Sequence, residues 1–235
     1  TVFSLDAPNS ATVINVLSPL PELDDGNVTI EASSRRVTIN GSGAGSTCGL
    51  SITSDSNVIQ GLSIVNFTRS GICLSSGASD NQIGGNRNSG TSPNGRGLRI
   101  SGNGAFGVEI TGSGTNGNLV QGCRIGVDAS GTAAEPNLAG VLIMDGAQQN
   151  KIGGTEFDLK CTISGNSFEG ITVSGVGTDN NEVDGSIVGG GAVEAVSFAV
   201  SRVAFPNRAL GNGSAGIFLS KGTKNNRVGA AAGDS

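Results

Sequence analysis

The chain has 235 residues, of which 40 are Gly and none is His, Trp or Tyr, and it carries a net charge of −5. The acid excess argues against nucleic acid, which is held by clustered Lys and Arg, and the lack of His excludes His-based catalysis and His metal sites. No window reaches the ~18 apolar residues of a membrane-spanning helix, and no basic segment leads into an apolar one at Thr1, so neither a span nor a signal peptide is expected in this sequence.

Taken in order, the chain is a series of short aliphatic runs divided by Gly, Asn, Ser, Asp and Thr. Alternation over three to five residues is the pattern of strands and turns, and helical periodicity is nearly absent. A strand-like segment opens the chain at Val2–Leu5, and runs follow at Val28–Ile30, Val37–Ile39 and Leu50–Ile52. From there the runs fall into groups of three. The first is Ile59, Leu62–Ile64 and Ile72–Leu74; the second is Ile83, Leu98–Ile100 and Val108–Ile110. The third is Val120, Cys123–Ile125 and Val141–Ile143, and the fourth is Ile152, Cys161–Ile163 and Ile171–Val173. The stretch Val183 to Leu219 is long enough for two more groups, with Val196–Phe198 as an extra strand. The loops Gly85–Gly97 and Gly126–Gly140 are expected to bulge from one corner.

Two phrases accompany these groups. Asn-x-aliphatic-x-Gly recurs at Asn57, Asn81, Asn118, Asn150 and Asn181, and Gly-aliphatic-x-aliphatic at Gly49, Gly71, Gly107, Gly140, Gly170 and Gly216. Self-similarity of this kind marks a stacked repeat. The expected fold is all-β: a right-handed parallel β-helix of about six to eight coils with three short strands each, forming a single domain over residues 1–235. An antiparallel sandwich would not explain the repeated phrases. Equivalent residues of neighbouring coils then stack about 4.8 Å apart. Ile59, Ile83, Val120, Ile152 and Val183 form an inward column. Asn57, Asn81, Asn118, Asn150 and Asn181 form a corner ladder, where Asn suits both a left-handed backbone and an amide bond to the next coil.

The same alignment puts Cys123 and Cys161 side by side, within disulfide range; a reduced buried pair is the alternative. Cys48 and Cys73 lie in neighbouring coils, offset by about three positions. Four Cys without a CxxC speak against a zinc ribbon and are compatible with an oxidising compartment.

The stretch Ile125–Asn137 (IGVDASGTAAEPN), with Gly140–Ile143, Asn150–Gly154, Ile163–Asn166 and Gly170–Val173, resembles the repeat unit of large secreted bacterial right-handed parallel β-helix proteins of the pectin-lyase-like fold. Leu17–Leu23 and Val37–Gly41 are similar to the segment that opens such domains. The resemblance covers most of the chain. It implies a secreted or cell-surface protein, a segment of a longer one, with adhesion rather than demonstrated catalysis as the common theme.

A lyase on this fold needs outward carboxylates on adjacent coils for Ca²⁺, plus an Arg or Lys base. The outward column of the third strand reads Ser51, Cys73, Glu109, Leu142, Thr172 and Phe218, with one acid. Asp179, Glu182 and Asp184 are the best acidic cluster and the candidate site for Ca²⁺; otherwise no cofactor is expected. Lys151 and Glu182 should be neighbours in an exposed ion pair. Asp128 fits an Asx turn. Gly41–Thr47 (GSGAGST) lacks the Lys-Ser/Thr ending of a phosphate loop.

On the middle strand Arg99 and Arg124 occupy equivalent places in adjacent coils. Stacked like charges are unfavourable, and a bound uronate or sulfate would relieve them. The resulting expectation is an extracellular or cell-surface structural or adhesive module, not an enzyme. Its partners would be like subunits, stacked end to end or side by side, or a cell-surface glycan. A polysaccharide-binding or -cleaving β-helix and a phage tail fibre or spike segment are the alternatives.

Overall fold

In a computed structural model, described here for residues 11–189 and 210–229, the chain winds as a parallel β-helix of short strands. The first coil holds β1 (Thr12–Asn15), a single bridging residue, Leu23, and β2 (Thr29–Glu31). The second holds β3 (Val37–Asn40), β4 (Leu50–Ile52) and β5 (Val58–Gln60); the third β6 (Leu62–Val65), β7 (Ile72–Leu74) and β8 (Gln82–Gly84). The fourth holds β9 (Arg99–Ser101), β10 (Phe106–Thr111) and β11 (Leu119–Gln121); the fifth β12 (Arg124–Ile125), β13 (Ala139–Met144) and β14 (Lys151–Gly153). The sixth holds β15 (Thr162–Ile163), β16 (Ile171–Ser174) and β17 (Glu182–Asp184); the last β18 (Ile187–Val188), β19 (Ile217–Ser220) and β20 (Arg227–Val228). Each position along the coil builds one parallel sheet: sheet A is β1-β3-β6-β9-β12-β15-β18, sheet B is β4-β7-β10-β13-β16-β19, and sheet C is β2-β5-β8-β11-β14-β17-β20.

The strands are short because each must supply only two or three inward side chains before the chain turns. Ile59, Ile83, Val120, Ile152 and Val183 pair in register down sheet C. Four of the five are fully buried, and Val183 nearly so. Ile64, Ile100, Ile125 and Ile163 do the same in sheet A. The Gly of the second phrase belongs to the close approach of these two sets. A Cβ on Gly140 would meet the Gly170 carbonyl oxygen and Ile163 Cγ2, and the equivalent pair recurs around Gly49, Gly71 and Gly107, with Val188 in the place of the isoleucine around Gly170. Only a residue without a side chain lets sheet B start beside the sheet A isoleucines.

Between sheets B and C the turns are short and alike (53–57, 75–81, 112–118, 145–150, 175–181 and 221–226). Here Asn57, Asn81, Asn118, Asn150 and Asn181 form a continuous ladder that runs on to Asn226. From Asn81 onward the Oδ1 of each accepts the backbone N–H, and in all but the last step also the Nδ2, of the Asn one coil before it, at 2.7–3.1 Å, and the Oδ1 of Asn57 accepts the Val28 N–H at 2.9 Å. The ladder Asn residues are not themselves left-handed. That conformation falls on the residue before each: Ser56, Asp80, Gly117, Gln149, Asn180 and Asn225, with φ from 53° to 67°. The Asn is selected for its amide alone.

Three expectations need correction. Val183 to Leu219 makes one coil, not two, because β19 pairs directly with β16 (Ile171 with Ile217); Val196–Phe198 and Val2–Leu5 lie outside the described residues. The loops after Gly84 and Ile125 do not share a corner. Residues 85–98 join sheet C to sheet A and 126–138 join sheet A to sheet B, so they flank sheet A on opposite sides. Finally, the disulfide is Cys48–Cys73, while Cys123 and Cys161 are reduced and buried. Their register is as expected, with Arg124 paired to Thr162. Neighbouring side chains of a parallel pair project side by side into the core, however, and do not turn toward one another as a disulfide requires. Each thiol instead donates to a carbonyl, Cys123 to Gln121 and Cys161 to Val120, both at 3.3 Å. The neighbouring Cys161 sulfur, together with burial, holds the Cys123 thiol well above its usual range. The bend at Gly49, by contrast, brings Cys48 to the outer face of sheet B, 6.2 Å from Cys73 between Cα atoms.

Candidate functional site, the arginine face of sheet A

The outward column of sheet A reads Thr38, Ser63, Arg99, Arg124, Thr162 and Ile187, each in register with the next. The two long loops wall this face. From one side, Arg87 reaches in and donates to Thr162 Oγ1 and to the Phe157 carbonyl, both at 3.5 Å. From the other, Glu135 forms an ion pair with Arg99. The pairing strengthens in a half-buried setting, since the Arg99 side chain is 14% exposed. Asp128 stands in the same loop, but its carboxylate is occupied by an Asx turn. It accepts from Ser130 Oγ at 2.6 Å, from the Thr132 N–H at 2.8 Å and from the Ala133 N–H at 3.0 Å. Burial works against ionisation of Asp128, but these donors outweigh it and hold the carboxyl down at about 2.

Arg124 is left in a different state from Arg99. Its Nη1 donates to the Pro93 carbonyl at 3.3 Å, and its buried Nε, like that of Arg99, has no partner. Among the described residues neither Arg124 nor Arg87 has a carboxylate within ion-pair distance. Burial and then the field of Arg87 lower the Arg124 pKa, and Asp128 compensates only in part. The register therefore does bring Arg99 and Arg124 together, as their spacing implies. The loops divide them: Arg99 has its counter-charge inside the protein, and Arg124 with Arg87 does not. Toward the first coils the face continues into a hollow lined by Arg35, Arg36, Ser63 and Asn94. Its volume of about 40 Å³ has room for a few waters and not for a sugar ring. A polymer would lie along the face, not in a pit.

The acids proposed for Ca²⁺ are placed otherwise. Glu182 sits between Lys151, at 2.9 Å, and Arg227 on the next coil. Asp184 lies 3.5 Å from the same Lys151 ammonium. Asp179 is on the preceding turn, where it accepts the Lys224 N–H at 2.6 Å. Each carboxylate thus has a protein partner. The ion pair with Glu182 raises the Lys151 pKa despite burial. For Glu182, the hydrogen bonds and charges of Lys151 and Arg227 outweigh desolvation and lower its pKa. Among the described residues, the one set of three Cys or acidic ligand atoms that converges is Cys48, Cys73 and Glu109.

Sequence reasoning reached Arg99 and Arg124 through their register and missed Arg87 and Glu135, which lie in loops with no repeat to align them. It also missed a second Asn ladder at the corner between sheets A and B. There Asn137 Oδ1 accepts from Asn103, Asn166 from Asn137, and Asn212 from Asn166, each time from both the backbone N–H and Nδ2. The repeated Ile-Ser-Gly-Asn at 100–103 and 163–166 was the available signal. No family model, curated protein or solved structure matches the chain.

Proposed function

We propose that this protein is an extracellular adhesive module, a rigid β-helix that binds an acidic polysaccharide along the arginine face of sheet A. The observation that carries the reading is the state of Arg124 and Arg87. Two guanidinium groups share one walled face without a carboxylate partner, in a chain whose net charge is negative. Guanidinium recognises carboxylate and sulfate with paired donors. Arg99 and Arg124 repeat at the strand spacing along the helix axis, a spacing that a polymer of acidic units would follow. The Cys48–Cys73 bond suits an oxidising compartment, and the resemblance to secreted bacterial β-helix proteins points the same way.

Binding is favoured over cleavage because both carboxylates of the face are engaged, Glu135 by Arg99 and Asp128 by its own turn. The test is calorimetric titration with a polyuronate, a sulfated glycan and a neutral glycan. The acidic chains should bind, with an affinity that falls as salt rises. Arg87→Ala with Arg124→Ala should weaken binding at least tenfold. Equal binding by wild type and double variant would refute the site, and release of products from pectate in Ca²⁺ would refute the non-enzymatic reading.

Association of like subunits is a second reading. Among the described residues β1 and β2 at one end, and β18, β19 and β20 at the other, each pair on one side only, and an unpaired edge is a template for another chain. Sedimentation velocity across a concentration series tests it. Large polydisperse species would support stacking, a sharp monomer would remove it, and a stable trimer would favour a fibre or spike segment.

A further inference from the structure

We infer that Cys48, Cys73 and Glu109 form a second, redox-alternative site: a disulfide in the oxidised protein and a zinc-class metal site in the reduced one. The inference is independent of the arginine face, which lies on another sheet. Cys73 and Glu109 are register partners on β7 and β10, and both face outward from sheet B. Cys48 precedes β4, one coil earlier. The two sulfurs and a Glu109 oxygen lie within 4.8 Å of one another. Ser70 Oγ donates to Glu109 Oε2 at 2.6 Å, which fixes the carboxylate toward the sulfurs. That oxygen is 3.6 Å from Cys73 Sγ. As the sulfur of a disulfide has no proton to donate, this contact is not a hydrogen bond. The separation matches the sulfur-to-oxygen edge of a tetrahedral zinc site, which is about 3.5 Å for ordinary Zn–S and Zn–O distances.

The chemistry is closed in its electrons and protons. A dithiol or phosphine reductant delivers two electrons, the S–S bond breaks, and two protons are taken up to give two thiols. A divalent ion then binds both sulfurs and Glu109, releasing those two protons, with water in the fourth position. Two thiolates and a carboxylate more than balance the charge of the ion, and this sulfur-rich set suits zinc better than magnesium or calcium, which prefer oxygen throughout. A small-molecule disulfide accepts two electrons from the bound thiolates and is reduced to two thiols, which re-forms the S–S bond and expels the metal. The metal ties the corner before β4 to strands of the next two coils, whereas the disulfide ties only Cys48 to its neighbouring coil.

Cobalt(II) is the probe, added without oxygen to full-length protein reduced with a phosphine. Thiolate-to-cobalt charge-transfer absorption should appear, be displaced by Zn²⁺, and be absent from the oxidised protein. Cys73→Ser should abolish it, and Glu109→Gln should weaken cobalt binding at least tenfold while leaving a thiolate band. Cys123→Ser with Cys161→Ser should leave it unchanged. The inference is overturned by reduced protein that keeps its β-sheet circular dichroism but gives no band. It is equally overturned by reduced protein that has lost that signal, or by a band that follows Cys123 and Cys161.

Discussion

Asn118→Ala tests whether the corner ladder holds the coils together. Asn118 is fully buried at the centre of the ladder. Its Oδ1 accepts the Asn81 N–H at 3.0 Å and Asn81 Nδ2 at 2.9 Å, and its Nδ2 donates to the Ala78 carbonyl and to Asn150 Oδ1, both at 2.9 Å. Two of the four partners keep another bond after truncation. Asn81 Nδ2 still reaches the Ser54 carbonyl, and Asn150 Oδ1 still receives the Asn118 N–H. The Asn81 N–H and the Ala78 carbonyl are left without the bond that satisfied them. A buried polar group left unsatisfied costs about 1–3 kcal/mol, so the pair should cost about 4 kcal/mol. That is a large part of the ~5–15 kcal/mol of a typical domain. Equilibrium urea unfolding reads it as a lower midpoint at unchanged slope. Asn118→Asp separates the two halves of the amide. It keeps both acceptor functions and points a carboxylate at the Ala78 and Asn150 oxygens, so its folded-state pKa lies above the ~3.9 of the unfolded chain. Its stability is therefore greatest at pH below ~3.9, where the protonated acid donates again, and is lost as pH rises through the raised folded value. A loss under about 1 kcal/mol for Asn118→Ala, or an Asp variant indifferent to pH, would refute the ladder as the fastener of the corner.

Gly140→Ala forces a methyl against the Gly170 carbonyl and Ile163 Cγ2 and should destabilise by about 1–3 kcal/mol; Gly211→Ala, with nothing within 4 Å, should be near neutral in the same urea series. Asp128, held at about 2 in the folded state against an ordinary 3.8, contributes stability that is full above ~4 and lost as pH falls toward ~2. The difference between wild type and Asp128→Ala should be constant from pH 5 to 7 and shrink below 4, and a gap that widens on acidification would refute the assignment of its hydrogen bonds.

What was legible in the sequence was whatever the coil repeats. Ile59 predicts Ile83 and Asn57 predicts Asn81 because each coil returns the chain to the same corner, and the spacing of the phrases is the register itself. Legibility ended where the repeat does. Asn103, Asn137, Asn166 and Asn212 are as regular in space as the first ladder, but the loop at 126–138 and the residues before Asn212 destroy their spacing in the sequence. The cysteines show a second limit. Alignment gave the correct neighbours, Cys123 beside Cys161, but a register is a statement about Cα atoms, and a disulfide depends on the direction of Cβ. The bend at Gly49 that redirects Cys48 toward Cys73 has no counterpart in the column alignment. The arginine face shows both limits together: Arg99 and Arg124 were found by register, and the two loop residues that give them opposite fates were not.

The position of the loops gives the arginine face its weight as a site. A solenoid needs its strands in register, and the turns between sheets B and C stay short in every described coil. Lengthening a loop elsewhere adds little closure entropy, about 0.6 kcal/mol for each doubling, so the two corners beside sheet A are free to grow. They have done so on both sides, at 85–98 and 126–138, and both segments send charged side chains back over the same strands. An insertion that served only to be tolerated would point into solvent. Arg87 and Glu135 instead converge on Thr162 and Arg99, on either side of Arg124, and leave Arg124, like Arg87 itself, without a carboxylate partner where the walls meet the floor.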